Sequence, residues 1–191
     1  MIIGLGYKKY SGKDEVGRYL AKKLGSIRIA SGDTVKDAAR VIFGFTDEQL
    51  HGKLKDVVDP EWGFPPSHAL QLLGTDVVRT IHPDIWRRST KRRLEKVPPF
   101  LNAHVTDVRF PNEGELVHSR GGYVVEVFSP VELREARAVA AGADLAEFRK
   151  RYTHPSETSL DGYPFDGRVI NDSTLAVLHQ RVDALLEELA A

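Results

Sequence analysis

Short apolar runs alternate along the chain with stretches in which apolar side chains recur at helical spacing. The chain opens with an apolar run at residues 1–5, which predicts a buried strand. A glycine-containing loop follows at residues 6–12. Val16, Leu20 and Leu24 then fall on one face of a helix whose other face is charged. The N-terminal segment therefore has the pattern strand, loop, helix.

The same two patterns continue to the C-terminal end. Apolar runs predict four further strands, at residues 26–30, 102–108, 123–128 and 168–171. Helical spacing predicts helices at residues 34–43, 67–79, 86–96, 132–141 and 144–151, one opened by a turn at 110–113, and an amphipathic closing helix after residue 173. Residues 44–64 show no period and contain Pro and Gly breakers, so they are predicted to be irregular. Strands that alternate with helices favour an α/β fold with a parallel sheet covered on both faces.

The composition is that of one globular domain. Of the 191 residues, 41% are hydrophobic and 28% are charged, which is enough for a sizeable core. No apolar run approaches the roughly 18 residues of a membrane span, which excludes an integral membrane protein. The absence of cysteine excludes disulfides, cysteine-zinc sites and thiol catalysis. The first apolar run is too short for a secretory signal, so we expect a cytoplasmic protein with no membrane partner.

Charge is distributed unevenly although the formal net charge is zero. Residues 1–100 carry 18 of the 27 basic and 12 of the 27 acidic side chains, so the two halves have opposite net charges. A basic half favours an anionic ligand, and charge alone leaves open whether that is a nucleotide, a nucleic acid or an acidic partner. The basic run at residues 87–96 is typical of a solvated helix face, with a nucleic-acid surface and a lid as the alternatives.

A phosphate-binding loop is the strongest chemical signal in the sequence. Ser11, Gly12, Lys13 and Asp14 follow the first predicted strand and open the first helix, which is the context of the pattern G-x-x-x-x-G-K-[ST]. Backbone N–H groups and the positive end of the helix dipole bind phosphate in such a loop. Lys13 would neutralise the β- and γ-oxygens of a triphosphate. Asp14 replaces the Ser or Thr that holds Mg²⁺, and a carboxylate is a suitable magnesium ligand.

The loop departs from the pattern at its first glycine. Tyr7 stands there, and Gly6 lies one residue earlier. Two explanations are open: Gly6 makes the tight turn in a loop one residue longer, or Tyr7 tolerates it. An aromatic ring in the hollow of the loop would exclude the phosphates, so nucleotide binding depends on where the Tyr7 ring lies.

A second candidate group follows the strand predicted at residues 102–108. Asp107 ends this strand, and in parallel α/β sheets ligands bind at the carboxyl ends of the strands. Asp107 would therefore lie beside the phosphate loop, to hold magnesium or orient the nucleophile, and Arg109 would point toward the phosphates. The structural alternatives are a helix or turn cap for Asp107 and a surface ion pair for Arg109.

Phosphoryl transfer holds two polyanions in line, so cations are also needed on the acceptor side. Candidate cations are Lys36, Arg79, Arg149, Lys150 and Arg151. Arg79 can fork onto a phosphate monoester, and Gln71, two turns earlier, can contact a base edge. Trp62, Phe64 and Trp86 are candidates for stacking on a base, with core packing as the alternative for each.

These motifs together resemble the deoxynucleoside monophosphate kinases of bacteriophages. The stretches that carry the resemblance are IIGLGYKKYSGKDEV, LHGKLKDVVDPEWGFPPSHALQLLGTDVVR, VTDVRFPNEGE, GGYVVEV, HPSETSLD and VINDSTLAVL. They span nearly the whole chain. The combination of SGKD, TDVRFPNE, HPSE and INDSTL, with W-G-x-x-P before LQLLGT-x-x-x-R, is specific in order and spacing. Tyr7 in place of Gly, and Glu15 where Thr is usual, are departures from the family.

The resemblance implies a P-loop kinase fold with three layers and a parallel sheet of about five strands. It implies a single domain over residues 1–191, with a core at 1–30, 100–128 and 165–191, a monophosphate-binding region at 31–99 and a lid region at 130–160. The activity implied is transfer of the ATP γ-phosphoryl group to a deoxynucleoside 5′-monophosphate. Mg²⁺ would assist it, and the reaction would supply phage DNA synthesis in the host cytoplasm.

The resemblance also assigns site residues. Those implied for ATP are Lys9, Ser11, Gly12, Lys13, Asp14 and Asn171. Those implied for the monophosphate are Asp33, Lys36, Gln71, Thr75 and Arg79. The catalytic set is Lys13, Asp107, Arg109, Arg149 and Arg151, and the metal ligands are Asp14 and Asp107.

Two other functions are open at this point. One is a P-loop kinase for another acceptor, such as a modified nucleotide or a hydroxymethyl pyrimidine in DNA, since phosphomevalonate kinases also tolerate Gly-Lys-Asp. The other is a nucleic-acid-binding module that uses residues 87–96 and binds with a steep salt dependence. A kinase function requires no nucleic-acid partner. It is compatible with a homodimer, because dimers are common among nucleotide kinases of this fold.

Overall fold

The computed structural model describes residues 1–190 and is built on one five-stranded sheet. The strands are β1 (Ile2–Gly6), β2 (Ile27–Ile29), β3 (Ala103–Val105), β4 (Tyr123–Phe128) and β5 (Gly167–Ile170). Their order across the sheet is β2-β3-β1-β4-β5, and every pairing is parallel. The predicted parallel sheet of five strands is confirmed.

β1 lies at the centre of the sheet because it is apolar and can be covered on both faces. Ile3 and Leu5 are buried. At Gly4, an added Cβ would lie 3.0 Å from Val108 Cγ2, so the glycine lets the opposite layer approach closely. β1 pairs with β3 on one side and β4 on the other. The loops that follow β1 and β3 therefore meet at the carboxyl edge of the sheet.

Helices connect the strands and cover both faces. They are α1 (Lys13–Leu24), α2 (Ser31–Phe43), α3 (Asp47–Leu50), α4 (Pro66–Gln71), α5 (Val78–Ile81), α6 (Ile85–Leu94), α7 (Pro111–His118), α8 (Val131–Ala140), α9 (Leu145–Lys150), α10 (Pro155–Thr158) and α11 (Leu175–Ala190). A short 3₁₀ helix (Lys53–Asp56) follows α3, and a π-helical segment (Leu72–Val77) joins α4 to α5.

Two hydrophobic clusters form the layers. On one face, α1 and α11 pack on β1, β4 and β5, for example through Leu20 and Leu178. On the other face, α6 and α7 pack on β1, β3 and β4, for example through Leu94 and Leu116. The three-layer architecture expected from the sequence is thus present.

A third, smaller cluster lies away from the sheet. Ala39 of α2, Phe45, Leu50 of α3 and Ala69 of α4 are its buried members. Trp62 and Phe64 join it: both rings pack against Phe43, at centroid distances of 5.2 and 6.1 Å. These two aromatic residues therefore pack together with Phe43 rather than lining the cavity described below.

The boundaries predicted from the sequence differ from the structure in three places. β3 ends at Val105 because the backbone bends at Thr106, although the Thr106 and Val108 N–H groups still donate to the backbone oxygens of Ile29 and Leu5. Residues 44–64 were predicted to be irregular but contain α3 and the 3₁₀ helix, since Thr46 caps α3 through a reciprocal contact with Gln49. α10 is a single turn that the sequence pattern did not predict. Within residues 1–190, no helix is both long and apolar enough to cross a membrane.

Candidate active site

One large cavity opens at the carboxyl edge of the sheet. Its volume is about 580 Å³, within the usual range for a small-molecule site. The wall is formed by the loop after β1, the first turn of α2, the segment from α4 to α5, the turn after β3, and the region from α8 to α10. These elements are far apart in sequence, so the cavity is a product of the parallel topology.

The loop after β1 wraps around the side chain of Lys13. Its Nζ donates to the backbone oxygens of Tyr7 at 2.8 Å and Lys8 at 2.7 Å. Two residues adopt left-handed backbone conformations, Tyr10 at φ +62° and Gly12 at φ +101°. The loop therefore closes on itself and leaves Lys13 buried at the start of α1.

The Tyr7 ring does not fill the loop. It packs edge-on against Phe165 at a centroid distance of 6.1 Å, in the cluster beneath α6 and α7. Gly6 belongs to β1 and has no positive φ, and neither does Tyr7. The left-handed turn lies at Tyr10 instead. Both explanations of the missing glycine had placed this turn earlier in the loop, at Gly6 or at Tyr7.

Burial is the main influence on Lys13. Burial, together with the positive charge of Arg109, lowers the pKa of the ammonium to about 7, against the opposing effect of Glu157. The pocket thus holds a cation that lacks a close carboxylate partner. A bound polyanion would supply the missing negative charge.

Lys9, predicted to be a second cation on the triphosphate, is engaged within the protein. Its Nζ forms an ion pair with Asp56, and the Tyr10 hydroxyl donates to the same carboxylate. Burial lowers the pKa of Lys9 to about 8. Burial would raise the pKa of Asp56, but Lys9 holds it at about 2. Because Lys9 lies in the loop and Asp56 in the 3₁₀ helix, this pair anchors the loop to that helix. Both residues line the cavity.

Asp107 and Asp14, the predicted metal ligands, both line the cavity. Oδ2 of Asp107 accepts from the Gly32 amide at 2.6 Å and so caps α2, which is the structural role considered as an alternative. Its Oδ1 is buried and has no hydrogen-bond partner within residues 1–190. Burial raises the pKa of Asp107. The Asp14 side chain is exposed at the start of α1.

Arg109 lies at the rim of the phosphate loop. Its Nη1 donates to the backbone oxygen of Tyr7 at 3.0 Å and to Glu157 at 2.6 Å. The second oxygen of Glu157 accepts from the Lys9 amide at 2.8 Å. Burial would raise the pKa of Glu157, but Arg109 and Lys13 hold it below the usual range. Arg109 is therefore a cavity residue rather than a surface ion pair.

Arg79 is held in a buried pair with Glu113 of α7. Its guanidinium stacks on Phe110 at 3.6 Å, and Nη1 donates to the Pro83 carbonyl at 2.9 Å. Nε is buried without a partner in the described part of the chain. Burial raises the pKa of Glu113 to about 7, against the opposing effect of Arg79. This arrangement fixes the plane of the guanidinium and leaves one donor unsatisfied.

The remaining predicted acceptor residues also line the cavity. Asp33 pairs with both terminal nitrogens of Arg28, at 2.7 and 3.0 Å. Lys36 Nζ lies 3.2 Å from Nδ1 of His51. Gln71 and Thr75 lie on successive turns of the segment from α4 to α5.

The π-helical segment has a specific partner in this wall. Nε1 of Trp86 donates to the backbone oxygen of Gly74 at 2.5 Å. A π-helical turn widens the backbone and often marks a functional site. Trp86 is largely buried and lines the cavity, so its ring contributes both to packing and to the cavity wall.

Four further predicted residues lie outside the cavity wall: Ser11, Asn171, Arg149 and Lys150. Lys150 is exposed and pairs with Glu147, and Ser11 is buried within the loop. Asn171, expected near adenine, donates instead to the Ser11 backbone oxygen at 2.9 Å and supports the loop from below. Arg149 lies on the exposed side of α9, where it pairs with Glu135 at 2.6 Å. Its neighbour Phe148 points inward, so the helical period turns Arg149 away.

Arg151 does reach the cavity, where its Nη1 donates to Ser67 at 2.9 Å. Charged cavity residues that the motifs did not single out include Arg28, Glu113, Arg137 and Glu157. Glu113 and Glu157 lie within TDVRFPNE and HPSE, so both motifs contained the signal. Arg137 of α8 donates to the Tyr10 backbone oxygen at 3.0 Å, and no sequence pattern distinguished it from a surface arginine.

Viral proteins are similar to this chain in sequence, although no protein-family model matches it. A protein of Acanthamoeba polyphaga mimivirus, provisionally named deoxynucleotide monophosphate kinase, is 28% identical over 197 residues, covering 95% of this chain and 94% of its own length. The deoxynucleoside-5′-monophosphate kinase of Escherichia phage T5 is 45% identical over 53 residues, which cover 27% of this chain and 21% of the T5 protein.

Solved structures share the fold. TT1252 from Thermus thermophilus matches with a TM-score of 0.59 at 22% identity, covering 100% of this chain and 98% of its own. Shikimate kinase from Aquifex aeolicus matches with a TM-score of 0.54 at 14% identity, with the same coverage. The chain thus has the fold of P-loop kinases, and it resembles the mimivirus protein over nearly its whole length and the T5 kinase over a shorter stretch, which confirms the resemblance drawn from its motifs.

Proposed function

We infer that this chain is a deoxynucleoside monophosphate kinase, which transfers the γ-phosphoryl group of ATP to a deoxynucleoside 5′-monophosphate. The observation that carries the inference is one cavity that joins the phosphate loop at Lys13 to the acceptor side at Arg79. A kinase needs this continuity because the two phosphates must meet in line. Phosphorylation of a different acceptor, considered from the sequence, is not favoured by the similarity to the viral kinases.

ATP would bind with its β- and γ-phosphates in the loop after β1. The backbone amides at the start of α1 and the Lys13 ammonium would surround these oxygens. On binding, Nζ of Lys13 would exchange its two backbone oxygen partners, Tyr7 and Lys8, for phosphate oxygens. This exchange would place a full positive charge where the transferring group carries negative charge.

Asp14 and Asp107 fit a magnesium ion at this position. Oδ1 of Asp107 is a buried acceptor with no partner within residues 1–190, and Asp14 is exposed toward solvent. No group of three or more His, Asp or Glu side chains able to hold a metal occurs in that range. This suits Mg²⁺, which keeps several waters and takes further ligands from substrate phosphates. When bound, the ion would neutralise charge on the phosphate oxygens.

The monophosphate would bind between α2 and the segment from α4 to α5. Arg79 would contact its phosphate through the unpaired Nε, because Glu113 and Phe110 already fix the guanidinium plane. Gln71 and Thr75 would contact the nucleoside. An oxygen of the acceptor phosphate would then attack the γ-phosphorus, and the bond to the β-phosphate oxygen would break to release ADP. The acceptor is already anionic, so the step needs no proton abstraction.

The function is tested by incubating the protein with ATP, Mg²⁺ and each natural deoxynucleoside monophosphate while ADP release is followed. We expect turnover with at least one of them, above the rate of ATP hydrolysis alone. The same assay with the ribonucleotides measures discrimination at the sugar. Absence of turnover with every monophosphate, natural or base-modified, would contradict the proposal.

Changing Arg79 to lysine should weaken the acceptor far more than ATP. Lysine keeps the charge but loses the planar fork, including the unpaired Nε. We expect the KM for the monophosphate to rise about tenfold or more, and the KM for ATP to change by less than about twofold. Arg88→Lys, on the exposed face of α6, is the matched control. Equal changes in both KM values would show that Arg79 does not bind the acceptor specifically.

ATP binding should take up a proton above pH 7. In the free protein Lys13 titrates near pH 7, whereas a bound triphosphate stabilises the ammonium and raises its pKa. Between the two pKa values binding adds a proton, so ATP affinity falls as the pH rises through this window. Calorimetry at pH 8 in buffers of different ionisation enthalpy measures the number of protons taken up.

The control for this prediction is Lys13→Arg, since a guanidinium stays charged throughout the window. In this variant, ATP binding should involve no proton uptake at residue 13. Equal proton counts for the two proteins would mean that Lys13 is already charged in the free protein at pH 8.

A further inference from the structure

A chain of hydrogen bonds runs along the wall of the acceptor side. Oγ of Ser156 lies 3.2 Å from Nε2 of Gln71 and 2.8 Å from Nδ1 of His154. Nε2 of His154 in turn lies 3.1 Å from Oδ2 of Asp76. The chain therefore connects the HPSE segment to two residues of the helical segment that carries the predicted acceptor contacts.

The backbone fixes the direction of these hydrogen bonds. Nδ1 of His154 accepts from the backbone N–H of Ser156 at 3.2 Å, so this nitrogen carries no hydrogen. The hydrogen of the neutral ring is then on Nε2, where Asp76 accepts it. With Nδ1 as an acceptor, the Ser156 hydroxyl donates its only hydrogen to the ring.

The orientation of the Gln71 carboxamide follows. Ser156 Oγ has no hydrogen left to donate on its other side, so it can only accept. It therefore pairs with the NH₂ end of Gln71 and not with the carbonyl end. No hydrogen bond from residues 1–190 reaches Oε1, and Gln71 lines the cavity. The Gln71 carbonyl oxygen is therefore available to a ligand in the cavity, in an orientation that Ser156 fixes.

We propose that Ser156 and His154 are positioning residues that hold the Gln71 carboxamide with its oxygen toward the acceptor base, and so select a base that presents a hydrogen-bond donor there. The inference rests on the proposed function, because it takes the ligand beside Gln71 to be a deoxynucleoside monophosphate. To accommodate a base acceptor, the amide would have to turn over, and the Ser156 hydroxyl would have to leave Nδ1 of His154 and donate to the Gln71 carbonyl oxygen instead. The loss of the hydrogen bond between Ser156 and His154 disfavours a base that presents an acceptor.

Substrate pairs in which a donor and an acceptor change places test this. dCMP and dUMP differ by an amino group in place of a carbonyl and by a bare ring nitrogen in place of the neighbouring ring N–H, and so do dAMP and dIMP. We expect the wild-type protein to discriminate in at least one pair, in favour of the member that presents its donor to the Gln71 oxygen. In Ser156→Ala the carboxamide can turn, so the ratio of kcat/KM values within that pair should fall about tenfold toward one. The KM for ATP should not change.

Ser156→Thr is the matched control, because it keeps the hydroxyl and should keep the ratio. A loss of the ratio in both variants would indicate a packing effect and overturn the assignment. So would a ratio in Ser156→Ala equal to that of the wild type, or a wild-type ratio near one for both pairs. In each of these cases the proposed function stands if any deoxynucleoside monophosphate is turned over.

Nitrogen NMR of the His154 ring tests the relay without turnover, with His154→Gln to assign the signals. We expect the tautomer with hydrogen on Nε2 and a bare Nδ1, and we expect Ser156→Ala to shift the Nδ1 signal. A ring with hydrogen on Nδ1 would overturn the relay. This measurement decides whether the relay exists even if the kinase assay shows no activity, in which case it is the proposed function that fails and not the relay.

Discussion

Replacing Lys13 with alanine should lower kcat by about 10²–10³-fold without unfolding the protein. The chemistry of phosphoryl transfer consists mainly of positioning and charge neutralisation, so loss of a cation at the transferring group removes a large share of the rate. The Lys13 ammonium is buried and is held only by the backbone oxygens of Tyr7 and Lys8. Its loss therefore leaves no unpaired carboxylate behind, and the fold should tolerate it.

Steady-state kinetics and thermal unfolding check this prediction together. Lys22→Ala is the matched control, since Lys22 lies on the same helix but is exposed and lies outside the cavity wall. The control should keep full activity. An Lys13→Ala protein that keeps both its activity and its melting temperature would show that another group neutralises the transferring phosphate.

Replacing Gly12 with alanine should abolish tight ATP binding. A Cβ at this position would lie 2.1 Å from Nδ2 of Asn171, and the φ of +101° is unfavourable for any residue with a side chain. The loop must then move away from Asn171, which also holds the Ser11 backbone oxygen from below. We expect ATP affinity to fall at least about tenfold, since displaced amides no longer converge on the phosphates.

Gly25→Ala separates backbone strain from loop damage. Gly25 also has a positive φ, of +60°, but nothing lies within 4 Å of an added Cβ. This variant should lose about 1–2 kcal/mol of stability, the cost of a left-handed conformation, and keep its ATP affinity. Calorimetric titration with ATP compares the two. Equal ATP affinities for Gly12→Ala and the wild type would contradict the role given to the loop.

Much of the fold was predictable because the patterns involved are local. The apolar run before residue 6 and the period of Val16 and Leu20 specify strand and helix through near neighbours. One error lies where a distant contact accompanies the change. β3 ends early, and just beyond it Oδ2 of Asp107 accepts from the Gly32 amide of α2. That contact spans 75 residues and has no local signature.

The candidate site was predictable in outline for a different reason. Motifs such as SGKD and TDVRFPNE place specific residue types at fixed spacing, and Lys13, Asp107, Arg109 and Arg79 all line the cavity. The error at Arg149 concerns a side chain whose direction depends on packing. Arg149 and Arg151 are two residues apart, and only the inward packing of Phe148 decided which of them faces the cavity.

The sequence by itself determined the alternation of strands and helices, the loop that begins α1, and the identity of the charges available for phosphate. These follow from neighbouring residues and from residue chemistry. Only the tertiary structure decided which of those charges stay available. It paired Lys9 with Asp56, it fixed Arg79 against Glu113 with its Nε unpaired, and it left Lys13 without a close carboxylate. Ion pairs form between side chains that packing brings together, and distance along the chain does not reveal which ones will meet.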